Sequence, residues 1–175
     1  ESDDGLTWVE YAANPVLEPG SAGAWDSGNR VQPAVIYDEG LYKMWYSGGP
    51  MEGGAWQTGY ATSTNGIDWN IYDGNPVIAS GGPGSWDNVE ADGPTVIRDG
   101  ALLKMWYYGC EDESYAVCSI GYAISTDGMH WTKYSGNPVL LQGAPGEWDE
   151  AGVYWPRVIK SGGIYRMWYS SSGGV

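Results

Sequence analysis

Short apolar runs rich in β-branched and aromatic residues alternate along the chain with turns rich in glycine, asparagine and aspartate. The run at 32–37 is almost continuously apolar, as in a strand that is buried on both faces. Further runs follow at 41–47, 57–63 and 69–72, and turn signals such as Asn65-Gly66 separate them. Helical periodicity is absent, so the pattern predicts an all-β chain built from units of four antiparallel strands.

The four-strand pattern repeats with a period of about 61 residues. Because residues present in every unit are expected to hold the architecture, we assign the repeated positions to the scaffold. In particular, we expect the Trp of each Trp-Asp pair to pack between units and the Asp to cap a local turn. The repeated positions are Trp25-Asp26, Trp86-Asp87 and Trp148-Asp149; Pro33, Pro94 and Pro156; the Met-Trp-Tyr runs that begin at Met44, Met105 and Met167; and Asn14-Pro15, Asn75-Pro76 and Asn137-Pro138.

A four-stranded unit that must stack on its neighbours is typical of a β-propeller blade. We interpret residues 1–175 as a single partial propeller domain with units at about 8–68, 69–130 and 131–175, the last of them incomplete. Two and a half to three blades leave open faces and strand edges. The ring is therefore expected to close either by oligomerisation, most simply as a homodimer, or through blades outside this sequence.

The charge of the chain restricts its partners. The net charge is −14 with only 8 Lys and Arg residues, which argues against nucleic acid, and no stretch is apolar enough to predict a membrane span. Glu1 opens the sequence without Met and without a leader, which indicates either a removed signal peptide or a trimmed sequence, and we expect a secreted or periplasmic protein. Cys110 and Cys118 flank an acidic loop on opposite arms of a hairpin, where either a disulfide or two free thiols would fit.

The sequence motifs that the units repeat resemble those of one protein family. Pro-x-Val-Ile-x-Asp-Gly, Met-Trp-Tyr-Ser-Gly and Gly-Tyr-Ala-x-Ser-Thr-Asp-Gly, followed by Trp and Asn-Pro-Val, resemble the blades of the five-bladed propeller glycoside hydrolases, which include arabinanases, β-xylosidases and invertases. The resemblance implies a propeller that acts on or binds a polysaccharide or oligosaccharide. A sialidase relationship is weaker, because the segment 125–131 is one residue shorter than an Asp-box, and the period is too long for WD repeats.

Candidate catalytic groups are the residues that break the repeat beside the invariant proline. Asp92-Gly93-Pro94 resembles the Glu-Gly-Pro signature that carries the general acid in those hydrolases, with Asp in place of Glu. Glu90 lies two residues earlier and therefore on the same face of the strand. Two neighbouring carboxyls raise the pKa of one of them, which suits a proton donor. The alternative is a polar tunnel entrance with both carboxylates solvated or bound to a cation.

Candidate sugar-binding groups occupy the same place in the other units. Tyr154 and Trp155 could stack on a sugar ring, and Arg30, Gln32 and Arg157 could bind its hydroxyls; inter-blade packing is the alternative for the two aromatic residues. The family also carries an Asp immediately before the proline in an early blade, where this sequence has Gln32, Gly93 and Trp155.

That departure leaves three interpretations open: a glycosidase, a non-catalytic carbohydrate-binding or scaffolding propeller, and an inactive fragment of a larger enzyme. We expect no cofactor and no metal ligands, because one His and two Cys make a zinc site improbable. A calcium ion or another cation in the tunnel is left open.

Overall fold

The computed structural model describes residues 1–115 and 117–171, so the final four residues of the third predicted unit lie outside the described residues. Every regular element in these two ranges is a β-strand, and none of their residues forms an apolar helix of membrane-spanning length. The strands are β1 (Asn29–Asp38), β2 (Leu41–Gly49), β3 (Trp56–Ser63), β4 (Asn70–Ile71), β5 (Glu90–Asp99), β6 (Leu102–Cys110), β7 (Cys118–Ser125), β8 (Thr132–Lys133), β9 (Tyr154–Ser161) and β10 (Ile164–Ser170).

The strands form blades, which confirms the predicted fold class. β1 to β4 pair in chain order as the antiparallel strands of one blade, β5 to β8 as those of a second, and β9 with β10 begin a third. A short parallel pairing of β3 with β5, Trp56 with Glu90 and Gln57 with Ala91, joins the first two blades into one eight-stranded sheet. The first strands of the blades lie side by side, β1 next to β5 and β5 next to β9. The ring they begin is open, as expected for a partial propeller.

Apolar side chains between consecutive blades form the core. Trp45 and Tyr60 of the first blade pack in one buried cluster with Val96 and Met105 of the second. A second cluster joins the second blade to the third. The middle blade is therefore covered on both faces.

The repeated Asp binds a strand tyrosine, so the expectation that it caps a turn is wrong. Asp87 Oδ2 accepts hydrogen bonds from the Tyr107 hydroxyl (3.4 Å) and from Lys133 Nζ (2.6 Å). The same aspartate–tyrosine bond recurs in the other units, at Asp26 and Tyr46 and at Asp149 and Tyr169. Trp86 lies against Tyr107 of its own unit, with ring centroids 5.7 Å apart. These residues fasten each connecting segment to the blade that follows it.

The repeated Asn-Pro asparagine replaces a missing strand residue. Asn75 Oδ1 accepts a hydrogen bond from the Tyr60 N–H (2.8 Å), and Asn75 Nδ2 donates to the Tyr60 carbonyl (3.0 Å). Asn137 binds Tyr122 in the same way. The side-chain amide thus satisfies one residue of the third strand, beyond the end of a fourth strand of only two residues.

A left-handed residue precedes the invariant proline in each blade. The φ angles are 52° at Gln32, 58° at Gly93 and 48° at Trp155. The pairing of the first two strands shifts register there, between Val31 and Ala34 and between Asp92 and Thr95. Glycine adopts this conformation freely, whereas Gln and Trp are strained in it. The bulge changes the direction of the side chains at the mouth of the channel.

Candidate active site: a carboxyl pair beside an aromatic cleft

Glu90 and Asp92 lie at the start of β5, where the register places Glu90 opposite Cys110 and Asp92 opposite Tyr108. Their separation by two residues puts both side chains on one face of the strand. Both are buried, with 8% of Glu90 and 1% of Asp92 exposed. Burying a carboxylate without a cation is costly, so this pair strongly favours its protonated forms.

Asp92 is the deeper of the two carboxyls. Its Oδ1 has no hydrogen-bond partner among residues 1–115 and 117–171. Burial raises the pKa of Asp92 to about 7, against the opposing effect of the neighbouring Tyr108 and Ser47 hydroxyls. Ser47 Oγ also accepts the Gly93 N–H (2.9 Å) and donates to Gln32 Oε1 (3.0 Å). Gln32 therefore reaches the pair through Ser47.

Glu90 is the carboxyl that lines the cleft. Burial and, to a lesser extent, the neighbouring Asp92 charge raise the pKa of Glu90 to about 8, against the opposing effect of the Tyr108 hydroxyl. Glu90 Oε2 lies 3.0 Å from Cys110 Sγ. That sulfur belongs to a disulfide and has no proton, so the contact is not a hydrogen bond. A carboxyl with this pKa keeps its proton at neutral pH and can donate it to a substrate.

The pair adjoins a cleft of about 480 Å³ with aromatic walls. Tyr108 and Tyr154 meet edge to face with ring centroids 5.5 Å apart, and Trp155 packs against both. Trp155 is still 44% exposed, which leaves part of its ring free for a ligand. Aromatic faces with a few polar groups are typical of a small-ligand site. The full lining is Glu90, Tyr108, Ser114, Tyr115, Tyr154, Trp155 and Ser171.

A disulfide-bridged loop forms one wall of the cleft. Cys110 and Cys118 are bonded across the β6–β7 hairpin, and Tyr115 stands in the loop between them with a left-handed φ of 54°. The Tyr154 hydroxyl donates to the Tyr115 carbonyl (2.6 Å). The loop is thus fixed to the strands at its ends and to β9 near its tip.

Glu90 and the two sulfurs lie close enough together to resemble a metal site. Both sulfurs are oxidised, however, and a disulfide offers no thiolate ligand. This group of residues therefore does not fit a metal ion.

The structure brings some of the predicted site residues together and separates others. Glu90, Tyr154 and Trp155 line one cleft, and Asp92 lies directly behind it. Arg30 lines a different groove, on the first blade, where its Nε donates to Asp26 (2.7 Å). Arg157 is exposed, is not among the residues that line the cleft, and donates from Nη1 to the Pro156 carbonyl (3.0 Å).

Sequence reasoning missed five residues of the site: Ser47, Tyr108, Ser114, Tyr115 and Ser171. Tyr108 could have been found, because it follows Met-Trp-Tyr where the other two units have Ser47 and Ser170. Ser47 carries no such signal, since a serine at this position belongs to the repeat. Tyr115 lies in a loop that has no counterpart of equal length in the first unit.

No family model matches the chain. Two curated relatives do, both from Mycobacterium tuberculosis: the uncharacterized protein Rv1502 and the uncharacterized protein MT1551. Each is 26% identical over 94% of this chain and 55% of the relative. The chain thus spans about half the length of the curated relatives it matches.

Solved structures show that the fold is that of glycoside hydrolase propellers. Zg3597, a family 117 glycoside hydrolase of Zobellia galactanivorans, matches with a TM-score of 0.72 and 18% identity over 86% of this chain and 51% of that one. A second glycoside hydrolase matches with a TM-score of 0.68 and 22% identity, over 83% of this chain and 42% of that one. The sucrose-6-phosphate hydrolase of Lactobacillus gasseri matches with a TM-score of 0.67 and 21% identity, over 82% of this chain and 29% of that one. At these identities the likeness concerns the fold alone.

Proposed function

We propose that this chain is part of a glycoside hydrolase-like propeller that binds a polysaccharide or oligosaccharide, and that Glu90 is its proton donor. The observation that carries the proposal is a buried carboxyl on an aromatic cleft with a second carboxyl buried behind it. Asp92 helps to keep Glu90 protonated, because a negative charge nearby opposes ionisation. The assignment differs from the Asp-Gly-Pro motif, which aligns Asp92 with the general acid.

In the proposed reaction, the Glu90 carboxyl gives its proton to the glycosidic oxygen as the bond from that oxygen to the anomeric carbon breaks. The oxygen keeps the bonding electron pair, and Glu90 becomes a carboxylate. A water activated by a second carboxylate would complete hydrolysis at the anomeric carbon. Gln32, Gly93 and Trp155 hold the positions where the resemblance places that base. We propose that the base comes from blades outside this sequence or from a partner chain.

A non-catalytic carbohydrate-binding role is the second candidate, and Gln32 at the expected base position favours it. The Cys110–Cys118 disulfide supports an exported location, secreted or periplasmic, for either role.

An NMR titration of the side-chain carboxyl carbons tests the proton donor directly. We expect an apparent pKa for Glu90 near neutrality and a lower value in Asp92→Asn, because the negative charge behind Glu90 is removed. Glu52→Gln, in an exposed loop of the first blade, is the matched control that leaves the Glu90 titration unchanged. A Glu90 pKa close to that of a solvated carboxyl would defeat the assignment.

A hydrolysis and binding screen on arabinan, xylan, fructan and mannan separates the two candidates. If the chain turns a glycan over, Glu90→Gln should lower the rate roughly 10²- to 10⁴-fold on natural linkages. The loss should be much smaller on aryl glycosides whose leaving group needs no proton. Equal losses on both substrates would contradict a proton-donor role, and binding without turnover in the parent chain would favour the second candidate.

A further inference from the structure

The cleft contains acidic and aromatic side chains and no basic one. Its single carboxyl is Glu90, and the other lining residues are tyrosine, tryptophan and serine. A site that binds an anionic sugar normally presents Arg or Lys to its carboxylate or sulfate. The lining therefore offers such a group nothing with which to pair.

The rim of the cleft adds three further acidic residues. Glu111, Asp112 and Glu113 directly precede the lining residues Ser114 and Tyr115, and all three are exposed. Asp112 Oδ1 accepts the Ser114 N–H (2.9 Å), while the carboxylates of Glu111 and Glu113 form no ion pair among residues 1–115 and 117–171. Burial raises the pKa of Tyr115, and the negative charges of Glu90, Glu113 and Asp92 raise it further.

The cations of the chain are held elsewhere. Of its eight Lys and Arg residues, six bind aspartates outside the cleft, and the remaining two, Arg157 and Arg166, are exposed and absent from its lining. The six pairs are Arg30 with Asp26, Lys43 and Arg98 with Asp38, Lys104 and Lys160 with Asp99, and Lys133 with Asp87. No Lys or Arg side chain among the described residues therefore lines the cleft or forms an ion pair with Glu111 or Glu113.

We propose that the disulfide-bridged loop 111–117 is a charge filter, so that the cleft accepts uncharged or cationic sugar units and excludes uronic acids and sulfated sugars. The Cys110–Cys118 bond joins the two ends of the loop, and the Tyr154–Tyr115 hydrogen bond attaches Tyr115 to β9. The sugar class rests on the proposed function, whereas the charge selection rests on the cleft and its rim alone.

Fluorescence quenching of Trp155 measures the filter without a known ligand. The signal of this residue is the difference between the parent chain and Trp155→Phe. Caesium, iodide and neutral acrylamide are compared as quenchers at an ionic strength of about 0.1 M, where charges act over about 10 Å. We expect caesium to quench Trp155 more than iodide does, and acrylamide to report equal access in all variants.

Glu111→Gln with Glu113→Gln removes two rim charges and keeps the Asp112 bond to Ser114. This double variant should lower the caesium-to-iodide ratio roughly two- to fivefold. The matched control is Asp3→Asn with Asp73→Asn, which removes the same charge from exposed turns of other segments and should leave the ratio unchanged. Iodide quenching equal to that of caesium in the parent, or a ratio unaffected by the double variant, would overturn the proposal.

Glycan binding supplies the second readout. Arabinan, xylan and mannan are compared with polygalacturonate, and stronger binding of polygalacturonate by the parent chain would also overturn the filter. If no glycan binds, the proposed function fails, while the quenching ratio still decides whether the loop selects charge.

Discussion

The first two blades have the same scaffold and different chemistry. Both use the Asp–Tyr bond and the Asn amide, and both place a left-handed residue before the proline. On the inner strand, however, Asn29, Val31 and Gln32 of the first blade correspond to Glu90, Asp92 and Gly93 of the second. The residues that recur in every unit therefore form the blade scaffold, whereas the candidate site is formed by residues that differ between the units.

The hairpins above these inner strands differ as well. β2 ends at Gly49 and β3 begins at Trp56, and the equivalent positions of β6 and β7 are Cys110 and Cys118, which are paired. The second hairpin is one residue longer and carries Tyr115 into the cleft. The added residue and the disulfide therefore occur together, at the one hairpin of the two that borders the carboxyl pair.

The largest expected contrast concerns the faces of the two inner strands. Val96 is 5% exposed between the blades, whereas its counterpart Val35 is 47% exposed on the open face of the first blade. Val96→Glu buries an unpaired charge and should cost about 4 kcal/mol or more of unfolding free energy. Val35→Glu should change it by only about 0.5 kcal/mol or less. Urea denaturation of both variants measures the difference.

The same open face is our basis for proposing self-association. Val31, Val35 and Tyr37 expose an apolar surface of the kind that other blades cover. Light scattering should detect oligomers, most simply a dimer, and Val35→Glu should weaken them. A stable monomeric parent chain would contradict this part of the comparison.

The next contrast is in the pH dependence of stability. The pKa values of Glu90 and Asp92 are raised to about 8 and about 7 in the folded chain. From about pH 4 to pH 8 the folded state thus holds protons that the unfolded state has lost, and unfolding free energy should fall as pH rises, on the order of a few kcal/mol. Asp92→Asn should flatten this slope, and Asn29→Gln in the first blade should not alter it. A slope that is equal in parent and Asp92→Asn would exclude the pair as its source.

The disulfide gives a smaller effect. Replacing Cys110 and Cys118 by alanine should lower the unfolding free energy by about 2–3 kcal/mol, because the bond restricts a short loop in the unfolded chain. The reverse change transfers the bridge to the first blade as Gly49→Cys with Trp56→Cys. A Cβ at Gly49 would lie 2.7 Å from the Trp56 ring, so the second substitution also clears the space. The added bridge should raise the unfolding free energy by less than the native bridge does, because the packing of Trp56 is lost. Thermal unfolding with and without reductant measures the effect of each pair of substitutions.

The smallest contrast lies at the residue before the proline. In Gly93→Ala the new Cβ would lie 2.5 Å from Tyr108 Cε1 in a left-handed conformation, which should cost about 2 kcal/mol. Gln32→Gly relieves the strain in the first blade and loses the bond to Ser47, so the net change should be below about 1 kcal/mol. Equal destabilisation of both variants in urea would show that the two positions are not distinguished by strain.

The architecture could be predicted because the same sequence pattern recurs in each unit. Each blade repeats Met-Trp-Tyr and Asn-Pro at fixed spacing, so one unit supports the interpretation of the next. The carboxyl pair could be identified because strand alternation places Glu90 and Asp92 on one face.

The cleft wall could not be predicted, because its position depends on how a loop folds over a neighbouring blade. Tyr154 reaches the Tyr115 carbonyl across 39 residues of sequence. The ion pair between Arg30 and Asp26 could not be predicted for a related reason. Asp26 was assigned to a turn, and only the structure shows that its carboxylate accepts both Arg30 Nε and the Tyr46 hydroxyl.

The two-residue outer strands have a consequence for how the protein behaves at high concentration. A long, flat outer strand presents a row of free N–H and C=O groups on which another chain can grow into a fibril. Here β4 and β8 are too short to template such growth, and Asn75 and Asn137 already occupy the backbone groups of Tyr60 and Tyr122. The outer edges of the first two blades are thus protected against cross-β stacking by an asparagine side chain.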